Sequence, residues 1–277
     1  MRFHRISKVL FPVTNRPQDA IMEPANNRGG FTMLLKDIGL QLYSLRDETK
    51  KDYIGTVEKV ARMGYTGVEF AGYGGLKPAE MAQLLRDNGL KACGSHFGEL
   101  PKTEKALDAE IEMALATGYK YLVCPFHKME KRADALRLAD IMNETAAKLR
   151  PHGLRLGYHN HAHEFMVCEG EILMETLLKN TEPDIFAEFD VFWVAYAGYD
   201  PVRFIKKYAG RQPLMHLKEL GPDRKANVEC GTGILDFEAI IKAGIEAGTE
   251  HFIIEQEEYT LPPLESCKVS LDNLKSL

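Results

Sequence analysis

From Ile38 onward the chain repeats one unit. A short run of β-branched and apolar residues leads through a polar loop into a segment with apolar positions at helical spacing, closed by glycine. The first unit predicts a strand at Ile38–Tyr43 and a helix from about Asp52, with Ile54, Val57, Val60 and Ala61 on one face and Gly64 as its stop. The second predicts a strand at Gly67–Phe70 and a helix that opens at Pro78 and ends at Gly89. Proline in the first turn and glycine just past the last is the order that helix ends favour. Strands follow at Leu90–Ser95, Tyr119–Cys124, Leu154–His159, Ile185–Phe189, Pro213–Leu217 and Phe252–Ile254. The intervening helices run through Leu107, Ile111 and Leu115, through Leu138, Ile141, Met142 and Leu149, around Ile172–Leu178, from Asp200-Pro201 to Gly210, and from Asp236 through Ile240, Ile241 and Ile245. A last one follows Pro262-Pro263.

Eight βα units in one domain predict a closed (β/α)8 TIM barrel rather than an open doubly wound sheet. The barrel domain is assigned to residues 36–277. Residues 1–35 break the pattern: Arg2, His4, Arg5 and Lys8 precede a short apolar stretch, then Pro17, Pro24 and Asn26-Asn27-Arg28-Gly29-Gly30. This segment is expected to be a poorly ordered extension, or sequence upstream of a natural start at Met33, with a lid or partner-contacting arm as the alternative.

In such barrels the chemistry lies at the carboxyl ends of the strands. Glu164, Asp190, His216 and Glu255 fall at or just beyond four successive strand exits, and two or three carboxylates with an imidazole are what an open divalent-metal site needs. Period-two alternation puts Glu188 and Asp190 on one face of their strand, and His216 and Lys218 on one face of theirs. An isolated aspartate is more often a helix cap, and an isolated strand histidine more often a hydrogen-bonded core residue; their recurrence one unit apart is what favours ligation. Glu255 needs a cationic partner if buried, and Lys218 is the non-metal candidate. Tyr158-His159-Asn160-His161-Ala162-His163-Glu164-Phe165 carries three histidines and a carboxylate. Alternation along an extended backbone would bring those histidines to one side, where ligation, hydroxyl binding and proton transfer are all open to them. His96, Gln41, Tyr43, Trp193 and Gln256 also lie at strand exits. The loop Gly231-Thr232-Gly233 reads as a tight turn, with an anion cradle as the alternative.

Composition narrows the class. Thirty-five Lys and Arg against 40 Asp and Glu, both signs interspersed, argue against a nucleic-acid footprint. No apolar run approaches the roughly 20 residues that span a bilayer. Five cysteines, widely spaced and without a C-x-x-C pair, predict a reduced cytoplasmic protein.

From Ile38 to its end the chain resembles the xylose-isomerase-like barrel superfamily, in the sugar phosphate isomerase/epimerase group. The stretches that carry the resemblance are Ile38-Gly39-Leu40-Gln41-Leu42-Tyr43-Ser44, Gly67-Val68-Glu69-Phe70, Tyr158-His159-Asn160-His161, Phe189-Asp190-Val191-Phe192-Trp193, His216-Leu217-Lys218 and Glu255-Gln256. The resemblance implies one divalent ion, Mn2+, Mg2+, Co2+ or Zn2+, held by Glu, Asp, His and Glu from strands five to eight. Many relatives read Glu-Asn-His where this chain has His159-Asn160-His161. The ligand set is therefore expected to be Glu164, Asp190, His216 and Glu255, with His159 as the alternative to Glu164. Three oxygens and one nitrogen suit Mn2+ or Mg2+, whereas a second imidazole tilts toward Zn2+ or Co2+. Relatives also commonly carry a second histidine where Trp193 stands, which disfavours the multi-metal centre of the related endonucleases.

The resulting expectation is a metal-dependent isomerase or epimerase of a sugar or keto-sugar, moving a proton beside a polarised carbonyl. Glu164, Glu255, His159 and His161 are its candidate acids and bases. His96, Trp193, Lys218, Gln41, Tyr43 and Gln256 are its candidate substrate contacts. The alternative is a lyase that cleaves a C- or O-glycoside of a 3-keto-sugar by β-elimination at the same metal site. A phosphodiesterase and a non-catalytic sugar-binding barrel are the remaining classes. The expected partner is a small carbohydrate, with no nucleic acid and no membrane, and homo-oligomers are common among relatives.

Overall fold

The computed structural model describes residues 37–100 and 102–277; the amino-terminal segment expected to form an extension lies outside the described residues. Eight parallel strands close on themselves: Gly39–Gln41 (β1), Gly67–Phe70 (β2), Lys91–His96 (β3), Tyr121–Cys124 (β4), Arg155–His159 (β5), Phe186–Asp190 (β6), Leu214–Leu217 (β7) and His251–Ile254 (β8). Each pairs with its sequence neighbours in parallel register and β8 returns to β1, the (β/α)8 TIM barrel that the repeat predicts.

The surrounding helices are Arg46–Lys51 and Tyr53–Met63 (α1 and α2), Pro78–Asp87 (α3), Glu104–Thr117 (α4), Arg132–Leu149 (α5), Leu173–Asn180 (α6), Val191–Tyr196 and Pro201–Lys207 (α7 and α8), Phe237–Glu246 (α9) and Pro263–Lys275 (α10). Side-chain oxygens start several of them. Asp52 accepts from the Gly55 N–H at 2.9 Å and Asp236 from the Ala239 N–H at 2.9 Å, satisfying donors that a helix leaves unpaired. The helical faces were narrower than expected. α2 seats through Thr56, Val57 and Val60, while Ile54, and likewise Leu115 and Ile245 on their own helices, are exposed. Two short antiparallel hairpins interrupt the βα rhythm, Val167–Cys168 with Glu171–Ile172 and Glu219–Leu220 with Asn227–Val228.

The lumen is layered, because alternate residues of each strand face inward. Its floor is apolar: Cys93, Tyr121, Val123, Phe186, Leu214 and Ile253 form one cluster. Gly157 on β5 makes room for it, since a Cβ there would lie 2.2 Å from the Phe186 ring. Above the floor the rungs turn polar. Glu69, His96, Glu188 and His216 form a middle rung, and His159, Asp190, Lys218 and Glu255 lie at the carboxyl ends of the strands. Ionisable groups this deep are costly unless they satisfy one another or hold a cation, so the layering itself locates the site.

Candidate metal centre

The top rung is built by four adjacent strands. β5 ends at His159, whose Nδ1 lies 3.4 Å from the carbonyl oxygen of Pro125. That contact turns Nε2 toward Asp190 Oδ2 at 3.5 Å and Glu255 Oε2 at 3.8 Å. β6 ends at Asp190, which caps α7: Oδ1 accepts from the N–H groups of Phe192 at 2.9 Å and Trp193 at 3.4 Å. Its other oxygen, Oδ2, is buried without a hydrogen-bond partner, as is His159 Nε2. His216 on β7 presents Nδ1 to Glu255 Oε2 at 3.2 Å, while its Nε2 lies 2.7 Å from Glu69 Oε2. Asn160 clamps the first two strands, accepting from the Asp190 N–H at 3.2 Å and donating to its carbonyl at 3.4 Å.

His159, Asp190, His216 and Glu255 each offer one ligand atom, all four within 4.8 Å of one another. Atoms about 2.1 Å from a shared ion are spaced roughly 3 to 4 Å apart, and the measured separations of 3.2, 3.5 and 3.8 Å fall in that interval. The chemistry of the donors agrees. Burial would lower the His216 pKa, but the carboxylates of Glu188, Glu255 and Glu69 hold it well above the ordinary imidazole range, so Nδ1–H donates to Glu255 and a bound ion would take the place of that proton. Burial, together with the nearby His216 and His96, holds His159 well below the ordinary imidazole range, so it stays in its neutral, ligating form. Burial raises the Asp190 carboxyl to about 6, against the pull of Lys218. Burial also pushes Glu255 upward, but Lys218 and His216 outweigh it and hold the group well below the usual carboxylate range.

Lys218 is 1% exposed and is the non-metal cation of the mouth. Its Nζ lies 2.7 Å from Glu257 Oε1, 3.3 Å from Glu255 Oε2 and 3.6 Å from Asp190 Oδ2. Burial alone would favour loss of its proton; the carboxylates of Glu255, Glu257 and Asp190 raise its pKa instead, so the ammonium persists. This ammonium and the His216 proton together face three carboxylates; with the His216 Nδ1 proton displaced, the negative charge left over and the residues present fit a divalent ion.

The other expected site residues divide into two groups. Glu164 is not in the quartet, a correction to the expected ligand set. β5 stops at His159 and the chain turns into a short 3-10 helix at His163–Phe165, which carries Glu164 to the outer side of the strand. There Oε1 accepts from Tyr158 Oη at 2.7 Å and Oε2 from the His161 N–H at 2.8 Å, so the carboxylate buttresses the loop and is not exposed to reactants. The backbone is thus not extended through His163, whose Nε2 sits 3.0 Å from the His127 carbonyl oxygen. Gln41 and Gln256 are also buried with both ends of their amides engaged. Gln41 donates to Glu69 at 2.7 Å and accepts from the Tyr43 N–H at 3.0 Å. Gln256 accepts from Ser270 at 3.1 Å and donates to the Glu258 carbonyl at 3.1 Å. The amides of these two, expected to meet substrate, are engaged with the barrel walls.

His161, Trp193, His96 and Tyr43 remain around the mouth. The His161 and Trp193 rings lie 5.3 Å apart, and His161 Nδ1 and Trp193 Nε1 are both buried without partners in the protein. Lys218 Nζ sits 5.0 Å from the Trp193 ring centroid. His96 stacks on His216 with ring centroids 5.2 Å apart and its Nε2 lies 2.6 Å from Glu188. Tyr43 follows β1, with the Arg46 guanidinium 4.9 Å from its ring centroid. Glu69 and Glu188 were placed by the sequence at a strand exit and on the face of Asp190, but were given no role. Each stands at an inward position of an otherwise apolar strand, and that alternation was the available signal. The Gly231–Gly233 loop is a cradle for an internal anion: Gly231 and Leu235 donate backbone N–H groups to the buried Glu219 carboxylate at 3.1 and 3.0 Å.

Residues 57–277 match the family described as the xylose isomerase-like TIM barrel, and the chain belongs to that family. Among curated proteins it is similar to the inosose dehydratase of Geobacillus kaustophilus, 24% identical over 256 residues that cover 77% of this chain and 82% of that one. It is also similar to an inosose dehydratase of Clostridium perfringens, 28% identical over 152 residues that cover 46% of this chain and 50% of that one. Other clostridial inosose dehydratases are likewise matched over about half their length. Among solved structures, a sugar phosphate isomerase/epimerase of Parabacteroides distasonis superposes with a TM-score of 0.72 at 26% identity, covering 86% of this chain and 96% of that one. The IolI protein, solved with a zinc atom, shares the fold with a TM-score of 0.65 at 13% identity, covering 86% and 96%.

Proposed function

We propose that this barrel catalyses a metal-assisted β-elimination on a cyclic polyhydroxylated ketone: a proton leaves the carbon beside the carbonyl, and an oxygen substituent departs from the next carbon. The observation that carries elimination over isomerisation is the likeness to inosose dehydratases, the first of which is matched over 77% of this chain. This reverses the order of the two readings drawn from the sequence. The leaving group is water for a keto-cyclitol, or an alcohol for a keto-glycoside.

His159, Asp190, His216 and Glu255 would hold the ion. Two imidazoles in that set favour Zn2+ or Co2+ over the Mn2+ or Mg2+ expected with Glu164. When bound, a divalent ion supplies Lewis-acid polarisation of a ketone oxygen. The chain's own groups do the rest. His161 is held well below the ordinary imidazole range, by burial first and then by His159, so its unpartnered Nδ1 is a neutral base for the α proton. Lys218 keeps its proton and is suited to hold the departing oxygen through its charge and an N–H, while the proton that His161 takes up can leave with that oxygen as water or alcohol. The Trp193 face offers a platform for the ring, and its unpartnered Nε1–H a donor to a hydroxyl.

The test is incubation of zinc- or cobalt-loaded protein with an inosose and with keto-glycosides in D2O, followed by NMR. An unsaturated ketone or its diketone tautomer, with water or alcohol released, supports elimination. An epimer or isomer carrying deuterium at the α carbon, with no group lost, returns the isomerase reading. No exchange and no product from any of them removes proton abstraction altogether.

A further inference from the structure

The middle rung offers a second group of four, Glu69, His96, Glu188 and His216, that could be taken for another cation site. Its spacing argues otherwise. His216 Nε2 lies 2.7 Å from Glu69 Oε2, and His96 Nε2 lies 2.6 Å from Glu188 Oε2. These two contacts are hydrogen-bond distances, shorter than the roughly 3 to 4 Å between atoms sharing an ion at about 2.1 Å, while the crossed pairs His216–Glu188 and His96–Glu69 stand at 3.4 and 3.6 Å. The rung shares protons, and each carboxylate fixes an imidazole.

We infer that Glu69 is a positioning residue for the metal centre: it accepts a hydrogen bond from His216 Nε2–H across the lumen, and thereby fixes the tautomer and ring orientation that aim Nδ1 into the quartet. The inference rests on the metal reading of that quartet. Glu69 is on β2 and His216 on β7, strands that do not pair, so the contact spans the barrel instead of following a sheet ladder. Both side chains are wholly buried, which denies His216 Nε2 a competing water. Glu69 is itself oriented, because Gln41 Nε2 donates to the same Oε2 at 2.7 Å. A ligating histidine whose other nitrogen is held by a carboxylate is a more basic and better-aimed donor. Gln41, expected from the sequence to meet substrate, becomes the outermost member of this Gln41–Glu69–His216 relay.

The test is zinc affinity of the full chain, measured by competition with a chromophoric chelator, beside long-range 1H–15N spectra of the histidine rings in the zinc-loaded protein. Glu69→Gln is expected to weaken zinc binding about 10- to 100-fold. In the wild type the spectra should show His216 bound through Nδ1 and protonated at Nε2, and in the variant the hydrogen-bonded Nε2 proton should shift or vanish. Glu188→Gln alters the same rung chiefly through His96, its Oε1 standing 3.4 Å from His216 Nε2 beyond the 2.7 Å Glu69 contact, and should change affinity less than Glu69→Gln. Equal losses in both variants, a Glu69→Gln affinity within about twofold of wild type, or His216 bound through Nε2 would each overturn the proposal. Should Glu69→Gln not fold, Gln41→Ala removes only the orienting amide; a several-fold loss of affinity supports the relay and an unchanged one refutes it. A wild-type chain that takes up no zinc refutes the metal reading beneath it, which is a separate failure.

Discussion

Asp190 does two jobs with its two oxygens, and substitutions separate them. Oδ1 caps α7 through the Phe192 and Trp193 N–H groups, while Oδ2 faces the quartet without a hydrogen-bond partner. Asp190→Asn keeps an oxygen for the cap but removes the charge. It should lose metal at stoichiometric loading while its unfolding midpoint in chelator matches the wild type. Asp190→Ala loses both, and in chelator should be less stable than the Asn variant by about 1 kcal/mol. His161 makes the opposite case: His161→Gln should lower kcat by about 10^2- to 10^4-fold while metal content, read by elemental analysis, stays at the wild-type level. A His161 variant that loses its metal would make the residue a ligand instead of a base. Asp190, His216 and Glu255 were legible because each stands where its strand ends, and strand ends follow from period and composition. The fourth position was not. Choosing between His159 and Glu164 requires knowing where β5 stops and how the chain turns, and the turn is decided by Tyr158 and the His161 N–H, which capture Glu164 on the outer side.

At the scale of elements, the repeat announced itself because each βα unit is local: apolar period, cap and glycine stop all lie within some thirty residues. What the pattern could not show is where a loop finds its partners. The segment around Gly231-Thr232-Gly233 reads from the sequence as a turn or an anion cradle, and its anion turns out to be the chain's own Glu219. Leu220 and Leu235 donate to Oε1, each at 3.0 Å, and Gly231 donates to Oε2 at 3.1 Å. Gly233 packs so closely that a Cβ would lie 2.2 Å from the Leu220 carbonyl oxygen. Glu219→Ala would leave the buried Leu220 N–H and the part-buried N–H groups of Gly231 and Leu235 without their acceptor, at a cost of about 1 to 3 kcal/mol. Because Glu219 follows directly on His216-Leu217-Lys218, the same variant should also raise KM through displacement of Lys218. Urea unfolding and steady-state kinetics read the two effects. A variant as stable as the wild type would mean that the loop finds other acceptors.

For the whole molecule, the closed barrel explains why the site is confined to one half. The four quartet residues come from β5, β6, β7 and β8, which are contiguous around the barrel, whereas β1 to β4 contribute supports such as Gln41, Glu69 and His96. An ion bound there would tie four strands together in the folded state, and the unfolded chain offers no such preformed group. Linkage then makes metal a stabiliser: at a free concentration 1,000 times its Kd, the folded state gains about 4.1 kcal/mol. For a domain of this size, a gain of that order should raise the thermal midpoint by roughly 8 to 16 °C. The gain should disappear on adding a stronger chelator and return when zinc is restored. His159→Ala removes a ligand from the first strand of the four without touching the floor of the lumen, and should lose most of that shift while keeping a folded barrel by circular dichroism. Because a general surface effect of the ion would survive the substitution, an equal rise in the variant and the wild type would show that the cation binds elsewhere. The quartet would then be held together by Lys218 and shared protons alone.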